Sequence, residues 1–316
     1  MKIVSLYNFF SLMIVLGGVA LALYGMAVFI LARMLTRPPR LTDARALARV
    51  GRMTPADLSL PFENGDFVVR DEKTGRPLTL STWWIPHPTS GRTAILIHGY
   101  ADGKAGSIAW APLLIQLGFN VLAVDLRAHG HSEGTDTTAG YFERYDIGQI
   151  IDQLKAQRPA QTRSIILFGI SMGAAVAAAV ASQRDDISAI ILDSPYATFR
   201  DAARCHANLT GLPGESFLAL GWKLSKWRTG AKLEEVDPQA TIPKSRCPVL
   251  IIASTRDLLV SPDSQKCLQS VTELRGDCSR VWARDAAHVL SYPTDPAEYA
   301  RQIEQFLVQA ISGRGV

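Results

Sequence analysis

Residues 164–182 read SIILFGISMGAAVAAAVAS, and the fold turns on how this stretch is interpreted. The first half is a run of β-branched and aromatic residues without charge, which predicts a strand buried on both faces. The second half is alanine-rich and predicts a helix with a face small enough to pack closely. Between them stands Gly169-Ile170-Ser171-Met172-Gly173, a G-x-S-x-G pattern at a strand-to-helix corner. Small residues two positions either side of the serine permit a sharp turn that lifts its hydroxyl off the sheet. The same turn aims the first free N–H groups of the helix at that hydroxyl, where developing negative charge can be held.

Working outward, apolar strand-like runs alternate with helical stretches from Thr93 onward. The strands are expected in TAILIHG, FNVLAVDLR, SIILFG, SAIILDS, CPVLIIAS and SRVWARD. Helices are expected at about 106–117, 141–158, 171–183, 197–228 and 295–311. This alternation predicts an α/β fold with a mostly parallel sheet covered by helices on both faces. Upstream, DFVVRD and LTLSTWWIP flank the turn-like EKTGRP and predict an early antiparallel pair. Residues 196–240 are too long for one crossover and predict a small helical cap. Its Phe217, Leu218, Trp222 and Trp227 would either line the cap's underside or glue it to the body.

The N-terminus is of another character. Ile3 to Ala32 is 30 consecutive residues without charge, more than the ~20 needed to cross a bilayer. The run is far longer than a signal peptide's apolar region and no clean small-residue cleavage site follows it. It predicts a retained single-pass membrane helix over 1–35, its surplus taken up by tilt or by an extension at the interface. A proline-marked linker with a short amphipathic helix follows over 36–61. Arg33, Arg37, Arg40, Arg45, Arg49 and Arg52 stand against Asp43 alone on the C-terminal flank, which places that flank, and the domain after it, on the cytoplasmic side.

Much of the net charge of +4 resides in this arginine cluster, which suits anionic headgroups rather than nucleic acid. Cys205, Cys247, Cys267 and Cys278 lack C-x-x-C spacing and are expected to be free thiols. No cluster with metal-ligand spacing is evident, and no cofactor is expected.

A serine needs a base to become a nucleophile. His87 lies before the core sheet, His206 in the cap, and His98, His129 and His131 near the first two core strands. His288 follows the last strand, in a loop able to reach the edge from which Ser171 emerges, and is the expected base. The imidazole in turn needs an acid to fix its tautomer. Asp257, in the loop after VLIIAS, is the favoured acid, with Asp193 as competitor and Asp285 expected on the surface. Tyr100 and Met172 are the expected oxyanion donors through their backbone N–H groups. The Tyr100 hydroxyl would touch substrate or pack.

Taken together, HGY at 98–100, DLRAHGHSEG at 125–134, GISMG at 169–173, LDSPYA at 192–197, the Asp257 loop and AAH at 286–288 resemble the α/β-hydrolase superfamily. The closest likeness is to membrane-anchored serine hydrolases related to the prolyl oligopeptidase and serine aminopeptidase groups, over residues 62–311. The resemblance implies a hydrolase domain over 62–316 with a cap insertion at about 196–240. It implies that His129 and Ser132 brace the oxyanion loop without reacting. Ala128 stands where relatives often have glycine, and Ser254 and Thr255 lead into Asp257 where a glycine often occurs, which points to altered loops with the reacting groups retained. Esters with an apolar acyl group are the expected substrates, given the anchor and the greasy cap. Thioesters, including acyl groups removed from proteins, peptides recognised through Glu215 or Asp201, and a non-catalytic tethered binding module are the alternatives.

Overall fold

The apolar runs form one sheet whose two faces are both covered, and the alternation of side chains explains why. In β3 (Arg92–Ile97), Ile95 and Ile97 enter one core cluster while Ala94 and Leu96 enter the other. Period-2 alternation with apolar residues at every position leaves no face suited to water, so helices must cover each side. The computed structural model describes residues 2–41, 43–51, 54–209, 211 and 215–312; for 2–6, 43–44, 49–50, 215 and 312 it describes backbone only. Arg52 therefore lies outside the described residues, as do the side chains of Asp43, Arg49 and Glu215.

Among the described residues the sheet has eight strands: β1 (Glu63–Arg70), β2 (Pro77–Ile85), β3, β4 (Asn120–Val124), β5 (Ser164–Ile170), β6 (Ala189–Asp193), β7 (Val249–Ser254) and β8 (Arg280–Arg284). Their order is β1-β2-β4-β3-β5-β6-β7-β8. The β1–β2 and β2–β4 pairs are antiparallel and the rest parallel, as the early hairpin and later alternation predict.

Helices α1 (Lys2–Thr36) and α2 (Asp43–Val50) precede the sheet, and α3 (Lys104–Ser107) and α4 (Ala111–Gln116) join β3 to β4. Next, α5 (Glu143–Gln157) leads into β5 and α6 (Met172–Ala181) into β6. Helices α7 (Phe199–Leu209), α8 (Glu215–Thr229) and α9 (Pro238–Thr241) fill the long β6–β7 connection. Finally α10 (Pro262–Glu273) joins β7 to β8, and α11 (Ser291–Thr294) and α12 (Pro296–Ser312) close the chain. One face of the sheet takes α5, α6 and the cap; the other takes α4 and α12, with Leu114, Tyr299 and Phe306 wholly buried.

Two expectations need correction. Helix α10 is absent from the expected set, although Ser261 caps it by accepting from the Ser264 amide at 3.1 Å and Pro262 occupies its first turn. In the cap, Phe217, Leu218 and Trp222 are buried, but Trp227 is 81% exposed and lines nothing. It sits one helical step off the buried face formed by Phe217, Leu218, Gly221, Trp222 and Ser225.

The C-terminal turns of α1, a helix long and apolar enough to cross a membrane, are packed against the protein. Side chains from Tyr7 to Met26 are exposed, whereas Val28, Leu31, Ala32, Leu35 and Thr36 are buried. Gly221 of α8 permits this close approach: a Cβ there would fall 2.8 Å from Leu31 Cδ2. Past the helix, Asp136 accepts from Arg37 at 3.0 Å and Arg228 at 2.6 Å. Arg40 then donates to the carbonyls of Gly130 at 3.0 Å and Gly134 at 2.7 Å, tying the linker to the loop after β4.

Candidate active site

Ser171 occupies a backbone conformation that L-residues seldom adopt, φ 52° and ψ −114°. Such strain persists only where the surroundings over-determine it. Its amide donates to the Asp193 carbonyl at 2.8 Å, which pins the turn to the end of β6. The flanking glycines are required by contact. A Cβ on Gly169 would meet the Gly173 carbonyl oxygen at 2.3 Å, and one on Gly173 would meet that of Ile97 at 2.2 Å. Backbone atoms cannot swing aside, so Gly173→Ala is expected to cost ~3 kcal/mol or more, read as a loss of several degrees in Tm or as failure to fold. By contrast, a Cβ on Gly99 would lie an ordinary 3.4 Å from Ser171 Cβ, so Gly99→Ala is expected to fold normally in the same assay.

The structure brings three of the expected residues into one chain of hydrogen bonds. His288 Nε2 lies 2.9 Å from Ser171 Oγ, and His288 Nδ1 lies 2.6 Å from Asp257 Oδ2. The other oxygen of Asp257 accepts from the amides of Leu259 at 2.8 Å and Val260 at 3.1 Å. With the carboxylate thus fixed, the ring carries its proton on Nδ1 and leaves Nε2 to accept from the serine. An imidazole so placed can take a hydroxyl proton while the carboxylate stabilises the resulting cation.

The competing acid is occupied elsewhere. Asp193 accepts from the hydroxyls of Tyr299 at 2.6 Å and Ser194 at 2.9 Å, and Trp110 Nε1 donates to Tyr299 at 2.9 Å. Complete burial raises its carboxyl to about 6 against these bonds. Ser194 also accepts from the Val289 amide at 3.0 Å, and Val289 has φ 62°. One buried pair, Asp193 and Ser194, therefore holds both the Ser171 turn and the loop carrying His288. Asp285 is 75% exposed and pairs with Arg256 at 2.7 Å, as expected of a surface residue.

On the other side of Ser171, Met172 begins α6 and Tyr100 follows Gly99 beyond β3. Neither amide takes part in a turn, loop or cap hydrogen bond among the described residues. The Tyr100 hydroxyl, left open between packing and substrate contact, donates to the Met34 carbonyl of α1. Burial pushes that phenol up to about 12, so it remains a donor.

The Tyr100 ring also meets His129 edge-on, and His129 meets His98 with ring centres 4.8 Å apart. His98 Nε2 accepts from the Leu126 amide at 3.0 Å and its Nδ1 lies 2.7 Å from the Gly99 carbonyl. Burial, reinforced by neighbouring His98, lowers His129 to about 3 and keeps it neutral. Ser132 donates to the Asp125 carbonyl at 2.6 Å and accepts from the Ser81 amide at 2.9 Å. Ala128, where glycine was the alternative, sits at φ 63° and donates from its amide to Glu133 at 2.9 Å.

In the cap, the Asp201 carboxylate accepts from Ser261 at 2.7 Å. None of the four cysteines forms a disulfide. Sequence reasoning missed Ser194, Tyr299, Arg40 and Met34. Ser194 lies inside the quoted LDSPYA, so position alone marked it; the others act through contacts between residues more than 65 positions apart.

Comparison with known proteins agrees with this fold. A family model described as serine aminopeptidase, S33, matches residues 89–238. The uncharacterized protein YqkD of Bacillus subtilis is 32% identical over 227 residues, covering 70% of this chain and 72% of YqkD. An uncharacterized membrane protein of Saccharomyces cerevisiae is 27% identical over 46% of this chain and 50% of its own. Among solved structures, the Pyrococcus furiosus esterase Pf2001 superposes with a TM-score of 0.71 at 27% identity, over 87% of this chain and 98% of the esterase. Sheet order, serine turn and these matches agree: the chain belongs to the α/β-hydrolase superfamily.

Proposed function

We propose that the protein is a membrane-anchored serine hydrolase that cleaves carboxylic esters with an apolar acyl group. The observation that carries this reading is the unbroken hydrogen-bond chain from Ser171 through His288 to Asp257. Ser171 Oγ attacks the carbonyl carbon as its proton passes to His288 Nε2, and the Tyr100 and Met172 amides hold the oxyanion, each worth roughly 3 kcal/mol in the transition state. The carbonyl re-forms, the C–O bond to the alcohol breaks, and His288 returns the proton to the departing alkoxide. Water, deprotonated by His288, then attacks the acyl-serine, and Ser171 leaves with that proton. The likeness to the Pyrococcus furiosus esterase supports the ester preference.

The arginines on the C-terminal flank of α1 support a cytoplasmic catalytic domain. Peptide hydrolysis is the second reading, favoured by the description of the matching family model. Against it, Asp201 is engaged by Ser261 rather than open to a peptide amine.

The deciding experiment is a matched panel given to detergent-solubilised full-length protein: p-nitrophenyl esters of two to sixteen carbons, an acyl-CoA and an aminoacyl anilide. The expected result is ester turnover well above anilide cleavage, with a chain-length optimum. Faster anilide cleavage would transfer the assignment to the peptidase, faster acyl-CoA cleavage to a thioesterase, and no turnover of any member with no fluorophosphonate labelling to a binding module.

A further inference from the structure

The lipid-exposed and the protein-packed parts of α1 meet at a sharp boundary. The 20 residues from Tyr7 to Met26 are all exposed, and at 1.5 Å rise they span about 30 Å, the thickness of a bilayer's hydrocarbon core. Cap helix α8 runs beside the remainder in the same direction, since three contacts ascend together. Phe217 meets Tyr24 edge-on with ring centres 5.9 Å apart, Gly221 abuts Leu31, and Arg228 donates to the Thr36 hydroxyl. The start of α8 thus lies level with Tyr24, inside the exposed span rather than beyond it.

The side chains of α8 are sorted along the same direction. After Glu215 its first half reads SFLALGW, without charge, and the cations Lys223, Lys226 and Arg228 all follow. Leu220 is 43% exposed next to Gly221, and Leu209, the last residue of α7, is 53% exposed. Leu220, next to Gly221 and so level with Leu31 just past the exposed span, is followed by the cations, which matches the residue order of an interfacial helix.

From these observations we infer that the first two turns of α8 and the end of α7 rest in the interfacial layer of the bilayer, beside the anchor. The inference rests on reading α1 as a membrane span. The bilayer is the occupant this placement favours, because exposed Leu220 stands next to Gly221, which abuts α1 at Leu31 just past the exposed span. Tyr100, next to Ser171, bonds to Met34, eight residues and about 12 Å along the anchor from Met26. The site therefore lies close to the membrane, on the same side as the cap's lipid-contacting end.

The test is depth measurement on full-length protein in phosphatidylcholine nanodiscs, with Cys205, Cys267 and Cys278 changed to serine and buried Cys247 retained. Nitroxide is attached singly to Leu209→Cys, Leu220→Cys, Leu16→Cys as the lipid reference and Leu274→Cys as the water reference. Leu16 is 53% exposed on α1 and Leu274 is 85% exposed just after α10. Collision with dissolved oxygen and with a water-soluble nickel chelate is read by power saturation. Positions 209 and 220 are expected to favour oxygen over nickel, as position 16 does, by several-fold relative to position 274. Nickel access at 209 and 220 equal to that at 274, with 16 still protected, would overturn the interfacial cap while leaving the anchor in place. Nickel access at 16 as well would remove the anchor reading itself. Since no outcome depends on turnover, failure here is separable from failure of the hydrolase assignment.

Discussion

Ser171→Ala is expected to lower ester turnover by roughly 10⁵- to 10⁶-fold while leaving the fold unchanged, because it deletes the only atom that forms the covalent bond. The strain at φ 52° is carried by the backbone, pinned through the Ser171 amide to the Asp193 carbonyl, so alanine meets the same turn. The measurement is kcat for a p-nitrophenyl ester beside a thermal unfolding curve. Retention of more than a hundredth of the activity would show that another group attacks the carbonyl. A matching loss of Tm would show that the hydroxyl is structural.

Asp257→Asn is the second large effect, expected at about 10⁴-fold in kcat with KM nearly unchanged. The amide can still accept from the Leu259 and Val260 amides, so the loop holds. It presents the wrong partner to His288 Nδ1, and the tautomer that leaves Nε2 free is lost. Asp193→Asn is the contrast. That carboxyl touches Tyr299 and Ser194, not His288, and the substitution is expected to change kcat by about tenfold or less.

Its effect falls on the pH dependence of stability. Burial raises Asp193 from the ordinary 3.8 to about 6, so its favourable contribution is complete below 3.8 and is lost as pH rises through about 6. The loss is on the order of 3 kcal/mol. Asparagine cannot ionise, and the slope of Tm between pH 4 and 7 should flatten in the variant. A steep fall of kcat in Asp193→Asn with none in Asp257→Asn would exchange the two roles.

Much of the site was legible because its signals are local. Glycine at 169 and 173 reflects a turn too tight for a Cβ, and the contacts at 2.3 and 2.2 Å give the reason. The order of Ser171, Asp257 and His288 along the chain follows from successive parallel strands delivering their loops to one edge of the sheet. Helix α10 was missed because its apolar residues are few, Leu268 being the main one buried, and its start is announced by the Ser261-Pro262 cap rather than by periodicity. Trp227 was misplaced because bulk in a cap sequence does not say which side of the helix is turned inward.

The sequence by itself determined the strand-and-helix alternation, the serine turn, the long apolar N-terminal run and the three residues aligned at the site. These rest on side-chain period, on steric limits near the backbone and on uninterrupted apolarity, which neighbouring residues set. Tertiary structure alone decided that Asp193 serves Tyr299 and Ser194 rather than His288, and that the last turns of the anchor pack on α8 and bond to Tyr100. Each of those outcomes depends on which distant side chain arrives within about 3 Å, the reach of a hydrogen bond, and only the packed chain fixes that distance.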